Sequence, residues 1–265
     1  MKAIFSVDVE PDLHTNSYTG ITRGIQEIVK LLDKHKIKAT FFVTCDCIER
    51  YPKIFRQLLK RGHEIALHGY RHERFDYLTL EQKKDLIKKS IFCFKKYLNI
   101  KPKGFRAPQH SVDNETLDLL EEHGFEYDSS LTPINLMLFR HLAKKNSSKI
   151  SIIKNFFSRI KPYKIRKNLV EIPRTSFLVS IGGFELKVYP KITYKIIISL
   201  FKLFKIPFVF VMHSWDVIKV QNSLTSKICP PPRFQKKLDF FLDYSRRRLD
   251  YKKMYELCQK IKNAK

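Results

Sequence analysis

The chain has 265 residues and carries 51 Lys+Arg against 26 Asp+Glu, a formal net charge of +25. Hydrophobic residues at 43% and aromatics at 13%, with only 8 Gly and 12 Pro, exclude disordered, collagen-like and low-complexity chains. A chain of this length buries about 75% of its unfolded surface, so its core needs no metal or disulfide staple.

The first half alternates strand and helix patterns. Ala3–Val7 is an apolar run ending at acids, and Ile25, Ile28, Val29 and Leu32 give Ile21–Lys36 helical spacing. Lys38–Val43 reads as a strand, Pro52 opens a helix that Gly62 closes, and Glu64–Leu67 is a short strand. Leu80–Leu98 follows as a long amphipathic helix, then a strand at Lys103–Arg106, a helix at Asn114–His123 and a strand at Phe125–Tyr127. Repeated β-α units imply a parallel sheet with helices outside, open or closed into a barrel. The order resumes at Leu169–Ile172, with a basic-aromatic helix around Tyr194–Phe204, a strand at Phe208–Met212 and a helical tail at 234–262. Ile192–Met212 is interrupted by Lys195, Lys202 and Lys205, so no apolar run of about 20 residues is present to span a bilayer.

Charge is unevenly divided. Residues 129–215 hold 16 Lys+Arg and 2 Asp+Glu, and no acid occurs from Ser129 through Val170. Residues 131–170 read as a basic, loop-rich insertion within a single domain covering 1–265. Such a field favours polyanions, whether nucleic acid, anionic lipid headgroups or a phosphorylated substrate, although lysine also simply decorates solvent faces. The segment Tyr194–Phe210 can rest on a membrane surface, but a basic core helix followed by a buried strand is the simpler reading. The five cysteines are odd in number and scattered, which is no disulfide framework and fits a reducing compartment. Cys45 and Cys47 read as inert thiols. The N-terminus shows no apolar signal region, so the expected location is cytoplasmic, with peripheral contact at the inner face of the membrane as an option.

Polar residues at strand ends carry the candidate chemistry, because barrel enzymes place their catalysts there. Asp8 and Glu10 are two apart on a strand and point the same way, opposite to Val7 and Val9. His68 and His72 are four apart on a turn after an apolar strand and can share a metal. Arg106 ends the next strand and can clamp a carboxylate. His213 ends an apolar strand beside the single Trp, Trp215, and Asp216, a setting suited to proton donation. His14, His35, His63, His110, His123 and His141 are expected to be structural.

These residues fall in an ordered series: Asp8-Val9-Glu10, Ala39-Thr40-Phe41-Phe42, the block from Gly62 to His72 (Gly-His-Glu-Ile-Ala-Leu-His-Gly-Tyr-Arg-His), Phe105-Arg106-Ala107-Pro108 and Tyr127-Asp128-Ser129-Ser130. The series resembles the polysaccharide deacetylases, the NodB-homology group of carbohydrate esterase family four. The likeness covers residues 1–130 and resumes at His213-Ser214-Trp215-Asp216. It implies a distorted (β/α) barrel and a metal-dependent hydrolase that removes an N-acyl group from an amino sugar. On that analogy Asp8 is the general base, Arg106 its orienting partner and His213 the general acid. His68 and His72 bind the metal, usually zinc, with cobalt, nickel or manganese as alternatives. Many relatives carry two adjacent aspartates in the first motif; here Val9 intervenes, so Glu10 is the expected carboxylate ligand and Asp12 the fallback. Tyr70, Pro108, Tyr127, Asp128, Trp215 and Asp216 are expected around the substrate, Asp128 and Asp216 as orienting or capping groups and Trp215 as a sugar-stacking floor or a core residue.

The expected substrate is an amide-bearing sugar in a polysaccharide, a glycan precursor or a lipid-linked saccharide. Lys144, Lys145 and Lys149 are candidates to meet the membrane or a carrier phosphate. Alternatives are an amidohydrolase of a small non-sugar amide, and an inactive basic protein binding nucleic acid or membrane. No helix-turn-helix, zinc-finger or RNA-binding pattern supports nucleic acid as a partner.

Overall fold

A computed structural model describes residues 1–12, 15, 17–136, 153, 155–177, 179–220 and 224–264. His14, His141, Lys144, Lys145 and Lys149 lie outside the described residues, as does much of the expected insertion at 131–170.

Strand β1 (Lys2–Val9) is flanked by β2 (Thr40–Val43) on one side and β10 (Phe208–His213) on the other, both parallel to it. The sheet continues from β2 through β3 (Glu64–Leu67), β4 (Gly104–Phe105), β5 (Tyr127–Asp128) and β7 (Val170–Glu171), all in parallel. Among the described strands of this sheet, β6 (Tyr163–Lys164) alone is antiparallel, on the outer edge of β7. Past β7 the chain turns back to β10: Thr175 N donates to Val209 O at 3.2 Å, and Gly182 bridges Val211. The ring is closed by these isolated contacts, with the hairpin β8 (Ser176–Phe177) and β9 (Val179–Ser180) between them. The result is a distorted (β/α) barrel.

Alternation along the strands divides the core in two. Ala3, Phe5, Val7 and Val9 face outward with Phe41, Val43, Ile65, Leu67, Phe208 and Phe210, packing against the helices. Those helices are α1 (Ile25–Lys34), α2 (Cys45–Arg50), α3 (Pro52–Lys60), α4 (Leu80–Leu98) and α5 (Asn114–Glu122), then α6 (Gly183–Val188), α7 (Lys191–Leu203), α8 (Leu224–Ile228) and α9 (Pro231–Arg246). Ile4, Phe42, Ala66, Tyr127, Val170, Val209 and Val211 fill the barrel interior, closed from below by Met254, Leu257 and Cys258 of α10 (Met254–Asn263).

The helical tail at 234–262 is made of two helices, α9 and α10, with β11 (Asp250–Tyr251) between them pairing in parallel with Lys2 and Ala3 of β1. The unforeseen α2 directly follows β2 and buries Cys45 and Cys47. All five cysteines are buried and free, as inert thiols should be.

Candidate active site

The even-numbered residues of β1 point into the barrel: Ser6, then Asp8, then Glu10 just beyond the strand. This places two carboxylates at the C-terminal end, one above the other. Asp8 lies opposite His213 in the β1–β10 register. The β3 end delivers His68, and the turn that follows brings back His72. That turn is tight: Gly69 has φ +79°, and a Cβ there would lie 3.1 Å from Pro108 Cγ. His72 itself sits at φ +67°, a left-handed conformation that a non-glycine residue holds only when its surroundings impose it.

Ligand atoms of Glu10, His68 and His72 all lie within 4.8 Å of one another. His72 Nε2 meets Glu10 Oε2, and His68 Nε2 is 3.5 Å from the same oxygen. Oε2 is nevertheless buried without a well-formed hydrogen bond among the described residues. His68 Nδ1 is 2.8 Å from the Arg106 carbonyl, which can only accept, so Nδ1 carries a proton and Nε2 is the nitrogen turned toward the carboxylate. Two imidazole nitrogens and one orphaned carboxylate oxygen form a donor set suited to a divalent ion such as zinc. Burial pushes the Glu10 carboxyl up, but the contacts with His68 and His72 outweigh it and hold it at about 2. Asp12, the fallback ligand, is not in this cluster. Its two oxygens accept from the backbone N–H groups of Thr19 and Gly20 at 2.8 Å each.

Arg106 is fully buried, and its guanidinium lies 3.9 Å above the Phe42 ring inside the barrel. Nη1 donates to Asp8 Oδ1 at 2.6 Å and to Ser6 Oγ at 3.1 Å; Nε and Nη2 donate to Ser129. Burial pushes the Asp8 carboxyl up, yet Arg106, His68 and His213 together hold it well below the usual carboxylate range. Oδ2 is left as the atom that can take a proton.

On the facing strand, the His213 side chain is 41% exposed and its Nδ1 lies 3.8 Å from Asp216 Oδ2. Asp216 Oδ2 also accepts from the His213 backbone N–H at 2.8 Å, and Oδ1 takes an ion pair at 2.7 Å from buried Lys187. Burial lowers the His213 pKa, but Asp216 more than reverses this and the net direction is upward. Trp215 stacks on the imidazole face at 4.5 Å and 11°. The indole is buried, so it props His213 rather than offering an open floor for a sugar.

The remaining expected substrate residues separate. Pro108 packs on Gly69 at the catalytic end. The Tyr70 hydroxyl donates to Glu49 at 2.8 Å. Two placements around the substrate are overturned. Tyr127 is fully buried and its hydroxyl donates to Glu64 at the start of β3, the opposite end of the barrel from Asp8, Glu10 and His68. Asp128 is fully buried too, accepting from Ser130 Oγ at 2.6 Å and facing Glu171 on β7. Burial raises both of these carboxyls, and Asp128 raises Glu171 further while the hydrogen bond from Glu171 partly offsets the rise at Asp128, so Asp128–Glu171 is a structural pair.

Two residues escaped the sequence reading. Lys187 anchors Asp216 from α6, with no motif around it. Arg174 follows β7 and approaches the site: its Nη1 contacts His110 Nε2 at 3.3 Å, and its buried Nε has no partner among the described residues. His110 Nδ1 in turn faces the Ser130 carbonyl at 3.1 Å, and burial together with Arg174 holds this imidazole neutral, down at about 3.

Residues 13–127 match the family model for polysaccharide deacetylase. Among characterised sequences, the chain is 36% identical over 118 residues to the peptidoglycan deacetylase-like protein FGM2 of Gibberella zeae, covering 44% of this chain and 35% of that protein. It is 32% identical over 157 residues to the peptidoglycan deacetylase of Helicobacter pylori, covering 58% of this chain and 54% of that one. The matched region therefore spans between about a third and a half of these relatives' own lengths. In three dimensions the chain superposes on a Mycobacterium smegmatis structure assigned to the polysaccharide deacetylases with TM-score 0.72 at 18% identity, covering 98% of this chain and 90% of that one. For PuuE allantoinase the TM-score is 0.67 at 16% identity, covering 97% and 89%. At these identities the structural likeness is one of fold. The family model, the motifs and the barrel thus agree over residues 13–127, where the chain is similar to the polysaccharide deacetylases.

Proposed function

We propose that the protein is a metal-dependent N-deacetylase acting on an N-acylated, most simply N-acetylated, amino sugar within a glycan or glycan precursor. The observation that carries this reading is the convergence of three units on one barrel end: the Glu10–His68–His72 donor set, the Asp8–Arg106 pair and the Asp216–His213 pair. Relatives named for peptidoglycan deacetylation support an amino-sugar amide as the substrate class.

The residues divide the labour as follows. A divalent ion, with zinc favoured by the imidazole-rich donor set, would be held by Glu10, His68 and His72 and would supply an activated water and positive charge for the amide oxygen. Arg106 fixes Asp8 through Oδ1 and keeps it ionised, so Oδ2 accepts the proton of the attacking water. His213, whose pKa Asp216 raises, delivers a proton to the amide nitrogen as the C–N bond breaks. Water thus ends as the carboxylate oxygen of acetate, and the sugar leaves with a free amine. Pro108 and Gly69 shape the wall beside the ligands.

The test is acetate release from N-acetylglucosamine oligomers and from N-acetylated lipid-linked or nucleotide sugars, with zinc, cobalt, nickel or manganese supplied. Acetate formed in step with free amine, and abolished in Asp8→Asn, is the expected result. Release of product only from small non-sugar amides would replace this reading with a general amidohydrolase.

A further inference from the structure

Helix α7 is apolar on two faces. Tyr194, Ile198 and Phe201 are buried, with Tyr194 against Phe241 and Phe201 against Phe208. That face is the core side expected for a basic core helix. On the outer side Ile192, Ile196 and Leu203 are 58%, 53% and 72% exposed, and Phe204 just past the helix is 59% exposed. With Leu200, their spacing places them in one stripe along the helix. Phe184 and Val188 of α6 are exposed as well, so half of the large exposed hydrophobic side chains among the described residues fall between 184 and 204.

The same stretch is cationic. Between Glu185 and Asp216 there is no acidic residue, and α7 with its C-terminal turn carries Lys191, Lys195, Lys202 and Lys205. Lys191 and Lys195 lie along the flank, 4.3 and 5.8 Å over the Phe240 ring of α9. At 13 residues the helix is about 20 Å long, too short to cross a bilayer. An apolar stripe flanked by lysines at this length suits a helix lying in the plane of a lipid interface, its stripe sunk about 5–10 Å and its ammonium groups on anionic headgroups. A second copy of the chain is the poorer occupant, because a two-fold contact through α7 would set these lysines against their own counterparts.

We propose that the outer face of α6 and α7 docks the protein on an anionic lipid bilayer. The docked face begins at the catalytic end: at Gly183, the first residue of α6, a Cβ would lie 2.5 Å from Asp216 Oδ2. Docking therefore holds the site beside the membrane and selects acylated sugars carried at its surface. That last consequence rests on the deacetylase reading; the docking itself does not.

The experiment is co-sedimentation of the full chain with phosphatidylcholine vesicles containing about 30% phosphatidylglycerol, and with pure phosphatidylcholine vesicles. The wild type should pellet with the anionic vesicles, less at high salt and less with the neutral ones. Ile196→Ser, Leu203→Ser and Phe204→Ser combined should weaken binding at least about tenfold with the melting temperature unchanged. Lys202→Glu with Lys205→Glu should weaken it further on anionic vesicles than on neutral ones, by roughly fivefold per lysine. Failure of the wild type to bind, unaltered binding by the triple-serine chain, or a wild-type dimer that the triple-serine chain turns into a monomer would each overturn the proposal. Acetate release without vesicle binding removes the docking and leaves the deacetylase; vesicle binding without acetate release does the reverse.

Discussion

His68 and Arg106 are joined through a hydrogen bond of 2.8 Å from the imidazole Nδ1 to the arginine's backbone carbonyl, while the same arginine's side chain holds Asp8 at 2.6 Å. One residue at the end of β4 therefore orients a candidate metal ligand with its main chain and the candidate base with its guanidinium. The two functions respond differently to substitution, because only one of them runs through the side chain.

Metal content should follow the ligand set and not the base. Purified wild type should bind about one divalent ion per chain; His68→Ala and Glu10→Gln should lose it, whereas Asp12→Asn and Asp8→Asn should retain it. Asp8→Asn with its metal in place should lose about 10²–10⁴-fold in kcat, the scale of general-base catalysis. Elemental analysis beside acetate kinetics reads both. Metal lost from Asp12→Asn and kept in Glu10→Gln would reverse the ligand assignment.

Removing the arginine side chain should act on stability as well as on turnover. Arg106→Ala leaves Asp8 buried without its counter-ion, and breaking such a pair costs about 3–5 kcal/mol. Arg106→Lys should recover part of the stability but not the geometry, since an ammonium cannot serve Asp8 and Ser129 with the same planar fork. Urea unfolding of the three proteins is the measurement; equal midpoints would show that the pair does not contribute.

The Asp216 carboxylate should set the alkaline limb of activity. It raises the His213 pKa against the effect of burial, so Asp216→Asn should let that pKa fall. Deprotonation of the acid then begins at lower pH, and the alkaline limb of the kcat profile moves to lower pH. Lys187→Met should unpair Asp216 and destabilise the fold by about 3–5 kcal/mol. An Asp216→Asn profile superimposable on that of the wild type would remove Asp216 from this role.

Acid sensitivity of the fold should come partly from His63, which is buried and accepts the Ala39 N–H at Nδ1. Burial, then Lys38, lowers its pKa from 6.5 to about 4. Between those values the unfolded chain binds a proton that the folded chain does not, so stability rises with pH across this window. The contribution is complete above about 6.5 and is lost as the pH falls toward 4, roughly 3 kcal/mol in all. His63→Asn, which can keep an acceptor near Nδ1 but cannot titrate there, should show a shallower loss in chemical unfolding from pH 7 to pH 4.

Much of the site was legible because it follows strand alternation. Asp8 and Glu10 share a face for the same reason that Val7 and Val9 share the other, and the i,i+4 imidazoles meet because Gly69 allows the turn between them. Lys187 and Arg174 were not legible, since neither sits in a local pattern; the barrel's curvature, not the chain, makes them neighbours of Asp216 and His110. Tyr127 misled because its direction depends on a residue in another strand. Gly104 leaves the room its ring occupies, as a Cβ there would fall 1.8 Å from Tyr127 Cζ, and the hydroxyl then runs down to Glu64. The short strand inside the helical tail was not legible because the pairing of Asp250 and Tyr251 with β1 is non-local and leaves no trace in helical periodicity.

The position of β1 in the sheet has a consequence for how the molecule comes into being. Its partners β10 and β11 lie at the far end of the chain, and Ser6 Oγ meets the Phe210 carbonyl across 204 positions. Met254 and Tyr255 then close the barrel floor by donating their N–H groups to Thr40 and Glu64. During synthesis, Asp8 must wait for His213 to emerge before the two can face each other, so no partly made chain can hold the assembled site. Contacts this distant slow folding and leave one edge of β1 unpaired meanwhile. A ribosome paused anywhere before β10 would thus present a chain with its site unassembled and one edge of β1 open to wrong partners.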